Sequence, residues 1–561
     1  MNAPAGISTL DRVKIFSEIT IKTFDILVIG GGIMGAGIAL DAASRGLRVL
    51  LVEKQDFAAG TSSRSTKLIH GGLRYLKNFE LGLVRTVARE RKVLNRNAPH
   101  LVMPEPMLIP ILKNASYGYW ATKAGLTLYD LLGNVETPER HRMLDKTQTL
   151  AQEPLLNPEK LQGAGCFVEY RTDDGRLTME VLKTAHTFGA TCLNYCELRH
   201  FTYNEEKRIT GAALQDKLTG KNYQIKATCV INATGPWSAK IMQQDQPEKL
   251  PELVHTKGVH LVVPFEKFPL KQAVYFDIPG GRMLFAIPRQ GVTYFGTTDT
   301  PFTGNLEKPR VEKEDVAYLL AEVNKMFTGL DLKPGDVISS WAGVRVLLYE
   351  AGKKPSEISR KDEIFISASG LITVAGGKLT GYRKLAEQVV NKALEKYFPE
   401  NRQPSGTAKI KLSGGDFENA AAVKGFLKSC QEIGQLHKYP SESLAYLVRN
   451  YGTNTKAVLK EACRLKAENL DPETRLLQAE ICYTIQNEGV TSLSDFLIRR
   501  TGKLYFERGQ IIAILPAVKA AFQKILTLGN GILANQESEF MEQFEAAVAF
   551  KNESKNAMVS A

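Results

Sequence analysis

The chain has 561 residues, of which 43% are hydrophobic and 24% charged, a composition typical of a folded globular protein with several domains. The 46 glycines and 24 prolines are too few for a fibrous or low-complexity chain, and no continuous apolar run approaches the ~18 residues of a membrane-spanning helix. The net charge of +12 lies mostly in the first 400 residues and not in a basic tail, so we expect no nucleic-acid partner.

The N-terminal segment and the cysteines predict a cytoplasmic protein. The opening residues, MNAPAGISTLDRVKIF, have neither the basic head and apolar core nor the cleavage site of a secretory signal. The 7 cysteines are an odd number without paired spacing, which favours free buried thiols in a reducing compartment. We therefore expect neither disulfides nor a metal site.

The first predicted elements form a strand, helix, strand unit. A short helix leads into the apolar run DILVIG, GGIMGAGIALDAASRG follows as a helix rich in small residues, and RVLLVE is a second strand. Gly30, Gly32 and Gly35 stand between strand and helix, where glycine lets a pyrophosphate approach the backbone at the helix N-terminus. Glu53 closes the second strand and is expected to bind a ribose hydroxyl, which disfavours a 2′-phosphorylated dinucleotide.

Two later apolar runs, ATCVINATG and GLITVAGG, also end in glycine, as buried parallel strands do where they meet a ligand. Their ends carry Ala233, Gly235 and Gly377, far from the first glycine turn in sequence. Several distant segments along one extended cleft are typical of FAD-binding folds. The pattern therefore favours FAD over NAD.

Between these strands the chain has a different character. The segments VHLVVPF, QAVYFDIP, MLFAIPR and VTYFGTT are short alternating strands separated by glycine and proline, which predict an antiparallel sheet covering one side of the nucleotide fold. After NRQPSGTAKIKLSGGD the apolar spacing becomes helical. The predicted division is a discontinuous FAD-binding domain (about 24–95, 165–245 and 335–400), a substrate domain (about 96–164 and 246–334), a linker (401–415) and a helical C-terminal domain (416–561).

Six motifs carry a family resemblance: GGGIMGAGIALDAASRG, TSSRSTKLIHGGLRYL, INATGPW, GTTDT, SWAGVR and AGGKLTGYRK. In this order they resemble the FAD-dependent glycerol-3-phosphate dehydrogenases, and DFLIRRTGKLYF is similar to that family's C-terminal domain. The resemblance implies an α/β protein: an FAD-binding Rossmann-like fold with an antiparallel β-sheet substrate domain and a helical C-terminal domain. It also implies oxidation of sn-glycerol 3-phosphate to dihydroxyacetone phosphate in glycerol catabolism, with hydride passing from C2 to flavin N5 and electrons to a quinone.

The resemblance implies roles for residues at the substrate. Arg74 and Tyr75 match substrate-binding positions, and Arg360 matches a second phosphate-binding arginine. A guanidinium binds phosphate oxygens in a bidentate manner, which an ammonium does not. In these positions the three side chains would hold the phosphate monoester.

Three further matches fall on catalytic positions. His260 alone would be interpreted as a core histidine of a strand, and the resemblance places it beside the C2 hydroxyl as general base or hydrogen-bonding group. Arg345 and Lys378 match positions where cations stabilise the charge that develops as hydride leaves. Val346 stands where the family usually has proline, which leaves the placement of Arg345 less constrained.

The cofactor-binding residues implied by the glycine turn and the resemblance are spread over four segments. They are Gly30, Gly32, Gly35, Glu53, Thr61, Ser62, Ser63, Ser65, Thr66, His70, Ala233, Gly235, Gly377, Lys378, Leu379 and Thr380.

Two alternatives stay open at this point. A glycerol-3-phosphate oxidase would share most motifs but reduce oxygen to hydrogen peroxide, although the short stretch between Arg345 and Arg360 lacks the long insertion of the streptococcal type. A non-catalytic binding module would have lost the substrate cations. The dehydrogenase interpretation further implies docking on the inner surface of the cell membrane, and it allows a homodimer.

Overall fold

The computed structural model describes residues 7–73, 80–113, 118–246, 252–279, 282–348, 363–468 and 470–551. The strands in this part of the chain are β1 (Thr23–Ile29), β2 (Val49–Val52), β3 (Leu68–Ile69), β4 (Met103–Leu112), β5 (Arg142–Asp145), β6 (Leu161–Arg171), β7 (Thr191–Leu193), β8 (Cys196–Tyr203), β9 (Ile209–Asp216), β10 (Asn222–Asn232), β11 (Leu253–Pro264), β12 (Ala273–Ile278), β13 (Arg282–Arg289), β14 (Val292–Gly296), β15 (Thr300–Pro301), β16 (Ser339–Leu348), β17 (Glu363–Ile366) and β18 (Ile372–Ala375).

The helices described there are α1 (Arg12–Thr20), α2 (Ile33–Ser44), α3 (Leu81–Asn97), α4 (Tyr119–Gly133), α5 (Lys146–Gln152), α6 (Asp174–Thr187), α7 (Ser238–Asp245), α8 (Lys313–Met326), α9 (Tyr382–Tyr397), α10 (Ala420–His437), α11 (Ser441–Tyr451), α12 (Thr455–Arg464), α13 (Pro472–Asn487), α14 (Lys503–Phe506), α15 (Arg508–Leu526) and α16 (Asn530–Ala546).

The first sheet contains the predicted nucleotide unit. Strands β18, β10, β1, β2 and β7 lie side by side in this order and run parallel, and α2 connects β1 to β2. The two glycine-ended runs are β10 and β18, so both predicted strands are confirmed. Parallel strands present their carboxyl ends on one edge, and the glycine turns therefore converge there.

The second sheet is mostly antiparallel, as predicted, and β11 lies next to its edge strand β16. Strand β11 pairs with β16 along one edge and with β14 and β15 along the other. This register places His260 between Trp341 of β16 and Gly296 of β14. Strands β3, β6 and β16 also belong to this sheet, although they fall largely within the ranges predicted for the nucleotide domain.

The C-terminal helices share a hydrophobic core with the second sheet. Phe496, Phe506 and Phe522 are buried together with Trp341 and Tyr294 of the sheet. Helix α15 is long and apolar enough to cross a membrane by length and composition alone. The sequence predicts a helix here but no membrane-crossing run, because polar residues interrupt the apolar stretch. The buried side chains of α15 pack in this core.

The predicted linker is anchored along its length. Leu412 N donates to Asn97 O at 2.9 Å, and the Arg383 guanidinium donates to Thr407 Oγ1 at 3.1 Å. Thr407 and Leu412 are buried. This segment connects the two sheets to the C-terminal helices and packs against the rest of the protein.

Candidate active site

A cavity of about 330 Å³ lies where the carboxyl edge of the first sheet meets β11 and β16 of the second. It reaches from Glu53 and Glu197, beyond the end of β2, to Arg345 and Lys378 on the far side. Of the predicted cofactor-binding and catalytic residues that the structure describes, all line it except Gly35, Ser63 and His260. Residues separated by up to about 350 positions in sequence thus share one cavity.

The glycine turn brings three backbone segments into contact. Gly30 has a φ of +112°, and a Cβ there would lie 2.6 Å from Ala233 O. A Cβ on Gly35 would lie 1.8 Å from Gly30 O, so α2 begins directly against the end of β1. The turn therefore needs glycine for close packing, and it leaves the N-terminus of α2 open to the cavity for an anionic group.

Glu53 lines the cavity at the end of β2. Its carboxylate accepts hydrogen bonds from Gly31 N and Gln55 N, both at 2.8 Å. Burial raises the pKa of Glu53 above its ordinary value, and the two N–H donors act in the opposite direction. The carboxylate thus links the glycine turn to the loop after β2, at the position where a ribose hydroxyl is expected.

The loop from Thr61 to Thr66 covers the glycine turn. Ser62 Oγ accepts from Ile33 N, the first residue of α2, at 2.9 Å. Thr61 Oγ1 donates to Val344 O of β16 at 2.5 Å. The loop therefore bridges the nucleotide sheet and the second sheet.

Asp174 is a cavity-lining residue that the sequence reasoning missed. Its carboxylate accepts from Ser65 N at 2.8 Å and from Lys67 Nζ at 2.5 Å, and it is fully buried. Asp173 also faces Lys67, at 3.5 Å. The adjacent acids at the start of α6 were the only local signal, and an acidic first turn of a helix is common for reasons of capping.

Part of the cavity wall comes from the residues after β18. Gly377, Lys378, Leu379 and Thr380 line it, and Thr380 Oγ1 lies 3.1 Å from both His70 N and His70 O. This contact holds the backbone of His70 against the turn that follows β18.

Arg345 enters the cavity from β16. Its guanidinium lies 3.4 Å from Asp299 Oδ1 and 3.4 Å from Thr297 Oγ1. Lys378, which follows β18 of the first sheet, lines the same cavity. Two cations from different sheets therefore face one space, which suits an anionic or charge-developing ligand.

His260 lies behind Thr66. Its Nε2 is 2.9 Å from Thr66 Oγ1, its exposure is 1%, and its ring stacks on Trp341. Burial lowers the pKa of His260 well below 6.5, and the nearby Arg345 and Lys67 cations lower it further. The imidazole is therefore neutral at neutral pH, and it reaches the cavity through the Thr66 hydroxyl.

The predicted substrate residues Arg74, Tyr75 and Arg360 lie outside the described residues. Their roles stay predictions.

The described residues fit a flavin dinucleotide. The close glycine turn at an open helix N-terminus suits a pyrophosphate, Glu53 suits a ribose, and one continuous cavity extends from both to the cations Arg345 and Lys378. Its polar hydroxyl groups and apolar lining residues suit an extended heteroaromatic ligand.

Two family models match the chain. The model of FAD dependent oxidoreductases matches residues 25–383, and the model of the C-terminal domain of alpha-glycerophosphate oxidase matches residues 405–529. Together they cover both sheets and most of the C-terminal helices.

Curated relatives cover nearly the whole chain. The aerobic glycerol-3-phosphate dehydrogenase of Bacillus subtilis (strain 168) is 46% identical over 504 residues, which are 89% of this chain and 91% of that protein. The enzyme of the same name from Staphylococcus haemolyticus is 44% identical over 97% of both chains. Among solved structures, the glycerol-3-phosphate dehydrogenase from Bacillus halodurans complexed with FAD superposes with a TM-score of 0.83 at 40% identity, covering 97% of this chain and 98% of that one.

Proposed function

This chain belongs to the family of FAD-dependent aerobic glycerol-3-phosphate dehydrogenases, and we propose that it oxidises sn-glycerol 3-phosphate to dihydroxyacetone phosphate in glycerol catabolism, with a quinone as electron acceptor. The observation that carries the proposal is the single cavity that joins the glycine turn to Arg345 and Lys378. When bound there, FAD supplies the acceptor for the hydride that leaves C2 and passes the electrons on.

The chain's own residues then have three tasks. Arg345 and Lys378 stabilise negative charge at the reacting end of the cavity, because cations held in a poorly solvated site act most strongly there. The Thr66 hydroxyl faces the substrate. His260 lies behind Thr66, and its neutral imidazole is in hydrogen-bond contact with the Thr66 hydroxyl. Through Thr66, His260 acts as the general base or hydrogen-bonding group for the proton on O2.

The substrate phosphate is assigned to Arg74, Tyr75 and Arg360 on the family motif alone. Replacing Arg74 with Ala should raise KM for glycerol 3-phosphate by about 10-fold or more, since a charge-assisted bidentate contact is lost. The flavin spectrum should not change. Unchanged Michaelis kinetics would overturn the phosphate assignment.

The function is tested by mixing the holoenzyme anaerobically with sn-glycerol 3-phosphate and following the flavin absorbance. We expect bleaching, then fast recovery with a soluble quinone analogue and slow recovery in oxygen. Fast recovery in oxygen with release of hydrogen peroxide would make the protein an oxidase. If the flavin does not bleach, the proposed substrate is wrong.

We also propose that the protein is cytoplasmic and docks on the inner face of the cell membrane through the outer face of α4. Trp120 and Leu131 are each 75% exposed on this helix, and Lys123 Nζ lies 5.5 Å from the centre of the Trp120 ring. An exposed tryptophan and leucine beside a cation suit an anionic lipid surface.

Docking is measured by co-sedimentation with vesicles containing anionic lipid. Replacing Trp120 and Leu131 with Ser should reduce the bound fraction, whereas Leu436→Ser should not, although Leu436 is 82% exposed on α10. Equal binding of the natural protein, the Trp120 and Leu131 variant and the Leu436 variant would contradict docking through α4.

The homodimer and the domain boundaries stay predictions. Sedimentation velocity would test the homodimer, and limited proteolysis would test the domain boundaries.

A further inference from the structure

Trp341 lies beside His260 in the second sheet. The two rings stack with their centres 4.9 Å apart and their planes at 13°. The indole N–H of Trp341 donates to Ser65 O at 3.1 Å, and the residue is 3% exposed. One side chain therefore contacts both the imidazole and the loop that covers the glycine turn.

The indole also rests on residues of the C-terminal helices. Tyr505 and Phe506 of α14 lie with their ring centres 5.0 and 5.8 Å from that of Trp341. Ser339 Oγ donates to Leu504 O at 2.9 Å, so β16 and α14 are joined directly. The C-terminal helices thus reach the catalytic region through aromatic contacts.

The imidazole needs this support because it has few other constraints. Its Nε2 meets Thr66 Oγ1, and its Nδ1 has no hydrogen-bond partner among the described residues. Gly296 leaves room for the ring, since a Cβ there would lie 2.6 Å from His260 Cδ2. One hydrogen bond alone does not fix the plane of a histidine ring, whereas stacking against a buried indole does.

We propose that Trp341 is a positioning residue for His260, and that the C-terminal helices act on the reaction by holding this indole in place. The inference rests on the proposed function, because it assigns His260 to the oxidation. Trp341 itself does not touch the substrate in this arrangement. It acts by keeping His260 Nε2 directed at Thr66.

The structure predicts a pH effect of removing the indole. His260 is kept neutral chiefly by burial, so admitting water beside it should raise its pKa towards 6.5. A protonated imidazole cannot accept a hydrogen bond from Thr66, and the rate should then fall at the acid end of the pH profile. The charged groups that act on the imidazole are Arg345 and Lys67, and both oppose its protonation in the natural protein and in the variant. Lys67, Tyr294 and Tyr505 lie around the stacked indole.

The test is a double-mutant cycle on the rate of anaerobic flavin bleaching, with Trp341→Leu, His260→Gln and the double variant. We expect Trp341→Leu to slow bleaching by about 10- to 100-fold with little change in KM. In the His260→Gln background the same change should have almost no further effect. Independent, multiplicative losses would overturn the proposal.

Folding defects are separated by two further variants and by FAD content. Tyr505→Leu removes one support of the indole and should give a smaller loss in the same direction. Phe327→Leu is the matched control, since this aromatic packs against Phe268 and Phe276 in a different core cluster. It should lower thermal stability without changing the pH profile.

A substrate-free measurement distinguishes failure of the inference from failure of the proposed function. In holoenzyme with ¹⁵N-labelled histidine, the His260 signal is the one that disappears in the His260→Gln variant. In the natural protein this signal should show a neutral ring at pH 6. In Trp341→Leu it should titrate nearer 6.5. An unchanged titration would overturn the positioning role whether or not glycerol 3-phosphate bleaches the flavin.

Discussion

Gly35 shows how a single residue limits the geometry of the cofactor turn. It lies behind Gly30 and does not line the cavity. Any side chain there would meet the Gly30 carbonyl, because the position of a Cβ lies 1.8 Å from that oxygen. Neither Gly35 nor Gly30 can move without a large cost in free energy, because both belong to the backbone at the junction of β1 and α2.

We predict that Gly35→Ala displaces the turn and weakens FAD binding. The dissociation constant should rise by about 10-fold or more, which corresponds to about 1.4 kcal/mol. Fluorescence titration of the apoprotein with FAD measures this change. Gly82→Ala, in α3 with no atom of the described residues near the added methyl group, should bind FAD as the natural protein does. Equal affinities for both variants would contradict the packing argument.

At the scale of an element, the helical turn from Asp495 to Arg500 secures the loop after β2. Arg499 Nε and Arg500 Nη1 donate to Asp56 Oδ2 at 2.5 and 2.8 Å. Asp56 lies three residues after Glu53 and is fully buried, and Asn194 also donates to it. The C-terminal region thus holds the loop that carries the predicted ribose-binding residue.

We predict that Asp56→Asn is strongly destabilising, because it removes the carboxylate that both buried guanidinium groups share and leaves Arg499 only Asp495 and Arg500 only Glu488, at 3.8 Å. A buried pair broken on one side costs about 3–5 kcal/mol. The melting temperature at fixed FAD concentration should therefore fall by several degrees. The control is Glu18→Gln, which breaks the exposed pair with Lys22 and should cost at most about 1 kcal/mol. Similar melting temperatures for the two variants would refute this reasoning.

At the scale of the whole molecule, buried ion pairs join the nucleotide sheet's helices to the C-terminal helices. Glu488, after α13, accepts from Arg176 at 2.6 Å and from Lys183 at 3.0 Å, and both cations lie on α6. Although burial opposes ionisation, these cations lower the pKa of Glu488 to about 2. Arg500 and Arg499 have the same effect on Asp56, whose pKa is also lowered to about 2.

This arrangement predicts how the assembly responds to acid. A carboxyl group with a lowered folded-state pKa stabilises the fold fully above its unfolded value, which is 3.8 for Asp56 and 4.5 for Glu488. That contribution is lost as the pH falls through the folded value. We therefore expect the near-ultraviolet circular dichroism to be constant above pH 5 and to be lost between about pH 4 and 2. A transition centred near pH 6 would show that other groups control the assembly.

Local patterns in the sequence determined most of the architecture. The glycine spacing, the apolar runs ending in glycine and the alternating strands around His260 each encode a local backbone conformation, and all three predictions of structure are confirmed. The glycine-ended strands already favoured FAD, and the motif resemblance added the family; the comparisons show both. The roles of Arg74, Tyr75 and Arg360 stay predictions because these residues lie outside the described ones.

Only the tertiary structure decided which side chains meet. Thr66 and His260 are 194 residues apart, Ser65 and Asp174 are 109 apart, and Asp56 and Arg500 are 444 apart. No periodicity or spacing encodes such pairs, because they form when two sheets and a helical region pack together. Local sequence thus determined the elements and the cofactor turn, whereas long-range packing decided the support of His260 and the anchoring of the cofactor loop.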